Sequence, residues 1–60
     1  MEYEEYKKRF ITRMIEIIGE QDGDLEVHAK ASWDVWSDPE EGLQDETPEQ
    51  MAEAEIECWD

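Results

Sequence analysis

The stretch Leu25-Glu26-Val27-His28-Ala29-Lys30-Ala31-Ser32-Trp33-Asp34-Val35-Trp36 admits two readings, and the choice between them decides the fold. Leu25, Val27, Ala29, Ala31, Trp33 and Val35 alternate with polar residues, which is the period of a half-buried strand. The same residues also fit a helix, since Leu25, Ala29, Ser32, Trp33 and Trp36 recur at steps of three and four. Asp22 or Asp24 would then stand at the N-cap. A strand needs a partner for its amides and carbonyls. The other alternating run is Ala52, Ala54, Ile56 and Cys58. That run, however, follows Thr47-Pro48-Glu49-Gln50, where Thr47 fits an N-cap, Pro48 fits N1 and Gln50 completes a capping box. Ala52, Ile56 and Trp59 then share one helical face, with Met51 and Glu55 alongside, so a helix is expected over about 48–58. The middle segment loses its partner and is expected as a helix over about 24–37. The competing arrangement is α+β, one helix packed on a two-stranded antiparallel sheet of residues 25–36 and 51–59.

Upstream the pattern has one reading. Tyr3, Tyr6, Phe10, Met14 and Ile17, flanked by Ile11, Ile15 and Ile18, form a wide apolar stripe at helical spacing. Glu2, Glu4 and Glu5 suit the positive end of a helix dipole, and Glu4–Lys8 and Glu5–Arg9 are favourably oriented i,i+4 pairs. Gly19 fits a C-terminal cap and Gln21-Asp22-Gly23-Asp24 a turn, giving a helix over about 2–19. Between the second and third helices, Ser37 to Glu46 reads as a loop, with Pro39 restricting Asp38 and Gly42 marking a turn. The expected fold is all-α, a small three-helix arrangement forming a single domain over 1–60.

Composition tests whether such a chain folds. Sixty residues carry 19 Asp and Glu against 5 Lys and Arg, for a net charge of −14. Mean hydropathy is −0.95 and the pI is near 4.1. Low hydropathy with high charge is the signature of disorder. Against it stand three Trp, two Tyr and one Phe, each able to bury ~150–250 Å², and the periodicity just described. A folded domain is expected, with disorder until bound as the alternative.

The charge excludes phosphate neutralisation, hence direct nucleic-acid binding, and it disfavours anionic membranes. No apolar run approaches the ~20 residues of a transmembrane helix. Met1-Glu2-Tyr3-Glu4-Glu5 lacks a signal peptide's basic and apolar regions. Cys58 is the sole cysteine, so no intrachain disulfide forms, and a cytoplasmic setting is expected.

No catalytic or metal motif emerges. His28 is the one histidine and lacks the further ligands zinc requires, so it reads as a surface or boundary residue. Asp22, Asp24 and Glu26 resemble the start of a calcium loop, but Val27 stands where that loop needs Gly and Trp33 where it needs Glu. Nineteen acids guarantee carboxylate pairs at any separation, so no glycosidase pair is specified. Neither an enzyme nor a cofactor is expected. Cys58 and the methionines read as packing residues. Trp33 and Trp36 read as core, with interface anchoring as the alternative use.

The charge is unevenly placed. Lys7, Lys8, Arg9 and Arg13 lie within the first thirteen residues, whereas only Lys30 offsets the sixteen acids that follow. A small soluble domain is well served by a net charge of ~2–8, and a larger excess repels itself. Glu49, Glu53 and Glu57 recur at i,i+4 on the third helix, where like charges destabilise. Such a row spaces carboxylates ~6 Å apart, against ~3.4 Å per phosphate along one DNA strand. An Arg-lined groove would meet it as it meets DNA.

In size and acidity, through Asp34-Val35-Trp36-Ser37-Asp38-Pro39-Glu40-Glu41, Asp45-Glu46-Thr47-Pro48-Glu49 and Gln50-Met51-Ala52-Glu53 on to Cys58-Trp59, the chain resembles small acidic phage and prophage proteins. Among these it resembles anti-CRISPR proteins that act as DNA mimics. The resemblance implies a non-enzymatic inhibitor in a bacterial host cell, seated in the PAM-reading cleft of a Cas9-like effector. The residues expected to contact that basic partner are Asp34, Trp36, Asp38, Glu40, Glu41, Asp45, Glu46, Glu49, Glu53 and Glu57. The basic cluster Lys7–Arg13 departs from a uniformly anionic mimic. The alternative is a small acidic interaction or regulatory module that self-associates through the first helix. The sequence leaves the oligomeric state open.

Overall fold

The computed structural model describes residues 1–20 and 23–58. Three helices, α1 (Tyr3–Ile18), α2 (Leu25–Trp36) and α3 (Pro48–Glu57), make an all-α domain with no strand among the described residues. The middle segment is helical, as its lack of a strand partner requires. α1 is the spine: it packs against both other helices, which touch each other far less.

Each helix ends where local chemistry ends it. Gly19 adopts a left-handed conformation, φ +88°, and its N–H donates to the Ile15 carbonyl at 2.7 Å. α3 begins with both capping-box bonds, Gln50 N–H to Thr47 Oγ1 at 3.1 Å and Thr47 N–H to Gln50 Oε1 at 2.9 Å. Asp24 occupies the N-cap position of α2 but its side chain makes no cap bond, because its backbone is already helical rather than extended. Asp22 lies outside the described residues.

The core draws one stripe from each helix. Tyr6, Phe10 and Met14, one turn apart on α1, are fully buried. They meet Leu25, Ala29 and Trp36 of α2 and Ala52 of α3. Burying Phe10, Met14 and Leu25 contributes about 1.5–3 kcal/mol each. Ile11, Ile15, Ile18, Trp33, Leu43, Met51 and Ile56 close the periphery. The chain's own helices cover the α1 stripe at Tyr6, Phe10 and Met14, whereas Ile17 near its end is 41 % exposed. Of the sulfur residues expected to pack, Met14 is buried and Met51 half-buried, whereas Met1 and Cys58 are exposed. Cys58 falls on the solvent face because Ala52 and Ile56 take the inward positions of α3.

One polar bond crosses this core. The Tyr6 hydroxyl and Ser32 Oγ lie 2.6 Å apart, joining α1 to α2, and no buried side-chain polar atom among the described residues lacks a partner. Burial pushes the Tyr6 phenol up, the Ser32 hydrogen bond partly opposes this, and the Glu55 field adds to the rise. Around Tyr6 the Trp33 and Trp36 rings stand at 5.3 and 5.1 Å between centroids, in edge-on and tilted contacts respectively.

Candidate functional site

The carboxylates fall into two groups. Along the α1–α3 seam, Arg9 forms a two-point fork on Glu49, Nε to Oε2 at 2.8 Å and Nη2 to Oε1 at 2.7 Å. One turn on, Arg13 Nη2 lies 3.4 Å from Glu53 Oε1, while its Nη1 lies 3.4 Å from Glu16. The Arg9 hydrogen bonds hold the Glu49 carboxyl below the usual glutamate range, and Glu49 in turn raises the Arg9 guanidinium. Beside the seam runs a surface groove of about 470 Å3 in which Lys8, Arg9 and Arg13 face Glu5, Glu16 and Glu49. Its charges balance.

This placement corrects the expected carboxylate row. Glu49 and Glu53 are turned to arginines of the same chain, because the long Arg side chains of α1 reach the flank of α3 once Ala52 is buried. Glu57 is exposed and forms no ion pair among the described residues. Asp34 is bonded to Lys30 at 3.0 Å. Glu4 pairs with Lys7 at 3.6 Å rather than with Lys8, and Glu5 approaches Arg9 at 3.9 Å. His28 Nδ1 lies 3.3 Å from Glu55 Oε1, one of the few ties between α2 and α3.

The second group occupies the connection from α2 to α3. Asp38, Glu40, Glu41, Asp45 and Glu46 stand there with no Lys or Arg among residues 37–47. None of the five forms an ion pair among the described residues. The loop is nonetheless tied down. Trp36, only 7 % exposed, donates from Nε1 to the Glu46 carbonyl at 2.9 Å. Gln44 Nε2 donates to the Trp36 carbonyl at 3.0 Å. Asp38 Oδ1 accepts from the Glu40 N–H at 3.0 Å, an Asx turn, and the Glu41 N–H returns to the Asp38 carbonyl at 3.1 Å. Gly42 supplies a left-handed residue at φ +67°, and Leu43 packs against the core.

Trp36 is thus the pin of the loop rather than a ring offered to a partner. A buried indole N–H needs an acceptor, and the loop provides one. That requirement was the sequence signal for the pin; which carbonyl answers it is a tertiary fact. The dipole at the start of α3 favours Asp45 and Glu46. It does nothing for Asp38, Glu40 and Glu41, which follow the negative end of α2, whose last turn carries no basic residue.

Among the described residues, no group of three or more His, Cys, Asp or Glu side chains is arranged to hold a metal ion, and no helix is long and apolar enough to cross a membrane. Searches of family models, curated proteins and solved structures find no match to the chain.

Proposed function

We propose that the chain is a non-enzymatic binding module that sets its acidic 38–46 loop into a basic, nucleic-acid-binding cleft of a partner protein and so excludes the polynucleotide. One observation carries this reading: five carboxylates that form no ion pair among the described residues stand on a loop cross-tied to a buried tryptophan. Charges held in place lose less freedom on docking than charges on a mobile tail, and Arg side chains meet carboxylates in two-point geometry. A net charge of −14 draws a cationic cleft toward the molecule and speeds encounter. The paired Glu49 and Glu53 belong to the fold, so the contact set narrows to Asp38, Glu40, Glu41, Asp45 and Glu46, with Glu57 separate from them.

The resemblance to DNA-mimicking anti-CRISPR proteins points to a Cas9-like effector as the partner. The test is displacement of a fluorescent PAM-bearing duplex from a Cas9–guide complex at increasing NaCl. Displacement that weakens steeply with salt is expected. Duplex retained at saturating chain would overturn the Cas9 assignment. Displacement unchanged after the five loop carboxylates are replaced by amides would overturn the role of the loop.

A further inference from the structure

The loop carboxylates account for attraction and leave open what forms the apolar part of the contact. Interface centres are apolar and depleted of charge, with polar groups at the rim. The outer side of α2 carries an apolar ridge at i,i+4 spacing: Val27 is 67 % exposed, Val35 44 %, and Ala31 lies exposed between them. β-branched residues are poor choices for an exposed helix face, where Ala, Glu or Lys would hold the helix better. Beside the ridge lies a groove of about 460 Å3 lined by Tyr3, Glu26, Val27, Lys30, Ala31 and Asp34.

We infer that this ridge is the apolar centre of the docking surface and that its occupant is a basic amphipathic helix of the partner. The inference rests on the acidic-docking reading above and extends it to the residues that grip. Ridges at i,i+4 spacing are the shape that interlocks with another helix, and Ala31 at the midpoint allows close approach. Charge selects the occupant. Glu26, which forms no ion pair among the described residues, flanks the ridge, while Asp34 and Lys30 offset each other at 3.0 Å and Lys30 lies over the Tyr3 ring at 5.5 Å. A second copy would bring another −14 to the same face. The ridge also runs into the loop, since the Asp38 N–H donates to the Val35 carbonyl at 3.2 Å. In the proposed contact, ridge and loop share one footprint of standard size, ~800 Å2 per partner, about a fifth of the 4176 Å2 surface.

Two peptides separate this inference from the reading beneath it, observed by methyl and amide chemical shifts of the full chain. One is nona-arginine. The other is a peptide of about twenty residues with Leu at helical spacing and Lys or Arg elsewhere. Nona-arginine is expected to move the amides of residues 38–46 alone. The amphipathic peptide is expected to move these and the methyls of Val27, Ala31 and Val35. The Val27→Ala/Val35→Ala double variant should weaken the amphipathic peptide about tenfold and leave nona-arginine unchanged. The melting temperature of that variant should hold or rise, because Ala is the better helix former. Loop amides indifferent to nona-arginine would overturn the acidic-docking reading. Loop amides that respond, with valine methyls that the amphipathic peptide does not shift, would overturn the ridge inference alone. A dimer of the free chain, abolished by the double variant, would show that a second copy takes the ridge and would likewise overturn it.

Discussion

At the seam between α1 and α3, Glu49 and Glu53 meet Arg9 and Arg13; in the connection that precedes α3, Asp38, Glu40, Glu41, Asp45 and Glu46 meet no cation among the described residues. The residue types are the same and the stretches are adjacent in sequence, yet the charges act in opposite directions. Those at the seam hold two helices together. Those in the loop repel one another, and the fold restrains them through Trp36. An acidic count alone therefore says little about function; what matters is which carboxylates the fold already satisfies. Perturbing one region and watching the other puts this division to the test.

The largest effect should come from Trp36, where the two regions share an anchor. Trp36→Ala removes a buried ring and the loop's hydrogen bond together, at a cost of about 3–5 kcal/mol. A core this small rarely supplies more than about 3–5 kcal/mol, so the variant is expected to keep little or no stability and to be substantially unfolded at 25 °C by circular dichroism. Trp36→Phe keeps an aromatic ring and drops the donor to the Glu46 carbonyl. It should stay helical while the 38–46 amides lose protection from hydrogen exchange. If those amides stayed protected, the tryptophan would not be what holds the loop.

Next in size is the reciprocal pair of charge changes. Amides in place of the carboxylates of Asp38, Glu40, Glu41, Asp45 and Glu46 should weaken binding to a basic cleft by about two orders of magnitude at low salt. The melting temperature should hold or rise, since self-repulsion falls and the side-chain carbonyl left by Asp38→Asn can still accept from the Glu40 N–H. Amides at Glu49 and Glu53 should do the reverse, lowering the melting temperature and leaving binding within about threefold. Equal effects of the two sets on binding would erase the distinction between seam and loop.

Tyr6→Phe probes the core beneath both regions. It strands the Ser32 hydroxyl, 7 % exposed, and should cost about 1–2 kcal/mol by denaturant unfolding. Tyr6→Phe with Ser32→Ala should recover part of that loss, because neither group is then left without a partner.

These contrasts also mark what could be read from the residues. The start of α3 was legible because capping chemistry is local: Thr47 and Gln50 lie within one turn and make both expected bonds. The ambiguity of residues 25–36 has a physical origin. α2 carries two apolar sets, one toward the core (Leu25, Ala29, Trp33) and one outward (Val27, Ala31, Val35), and interleaving them in sequence produces strand-like alternation. The Arg9–Glu49 fork spans forty positions and depends on how α3 lies along α1, which no local pattern encodes. Hence the i,i+4 row of α3 was visible as spacing, while the pairing of Glu49 and Glu53 with arginines was not.

The smallest effect tests the seam through pH. Glu49 titrates below its ordinary value because Arg9 hydrogen-bonds its ionised form, so folding favours the deprotonated state. Its contribution is therefore fully present above the ordinary glutamate range near 4.5 and is lost as pH falls through the lowered folded value. Both groups are substantially exposed, so screening keeps the effect modest, and Glu49→Gln should lower the melting temperature by about 2–4 °C at pH 7. The gap between wild type and variant should stay constant down to the ordinary range and close as Glu49 is protonated below it. Added NaCl should narrow it at neutral pH. At pH 7 the same substitution at Glu40, in the loop, should not lower the melting temperature, because that carboxylate forms no ion pair among the described residues. A gap at Glu40 equal to that at Glu49 would mean that loop and seam carboxylates are bound alike by the fold, and the loop would then have no charge left to offer a partner.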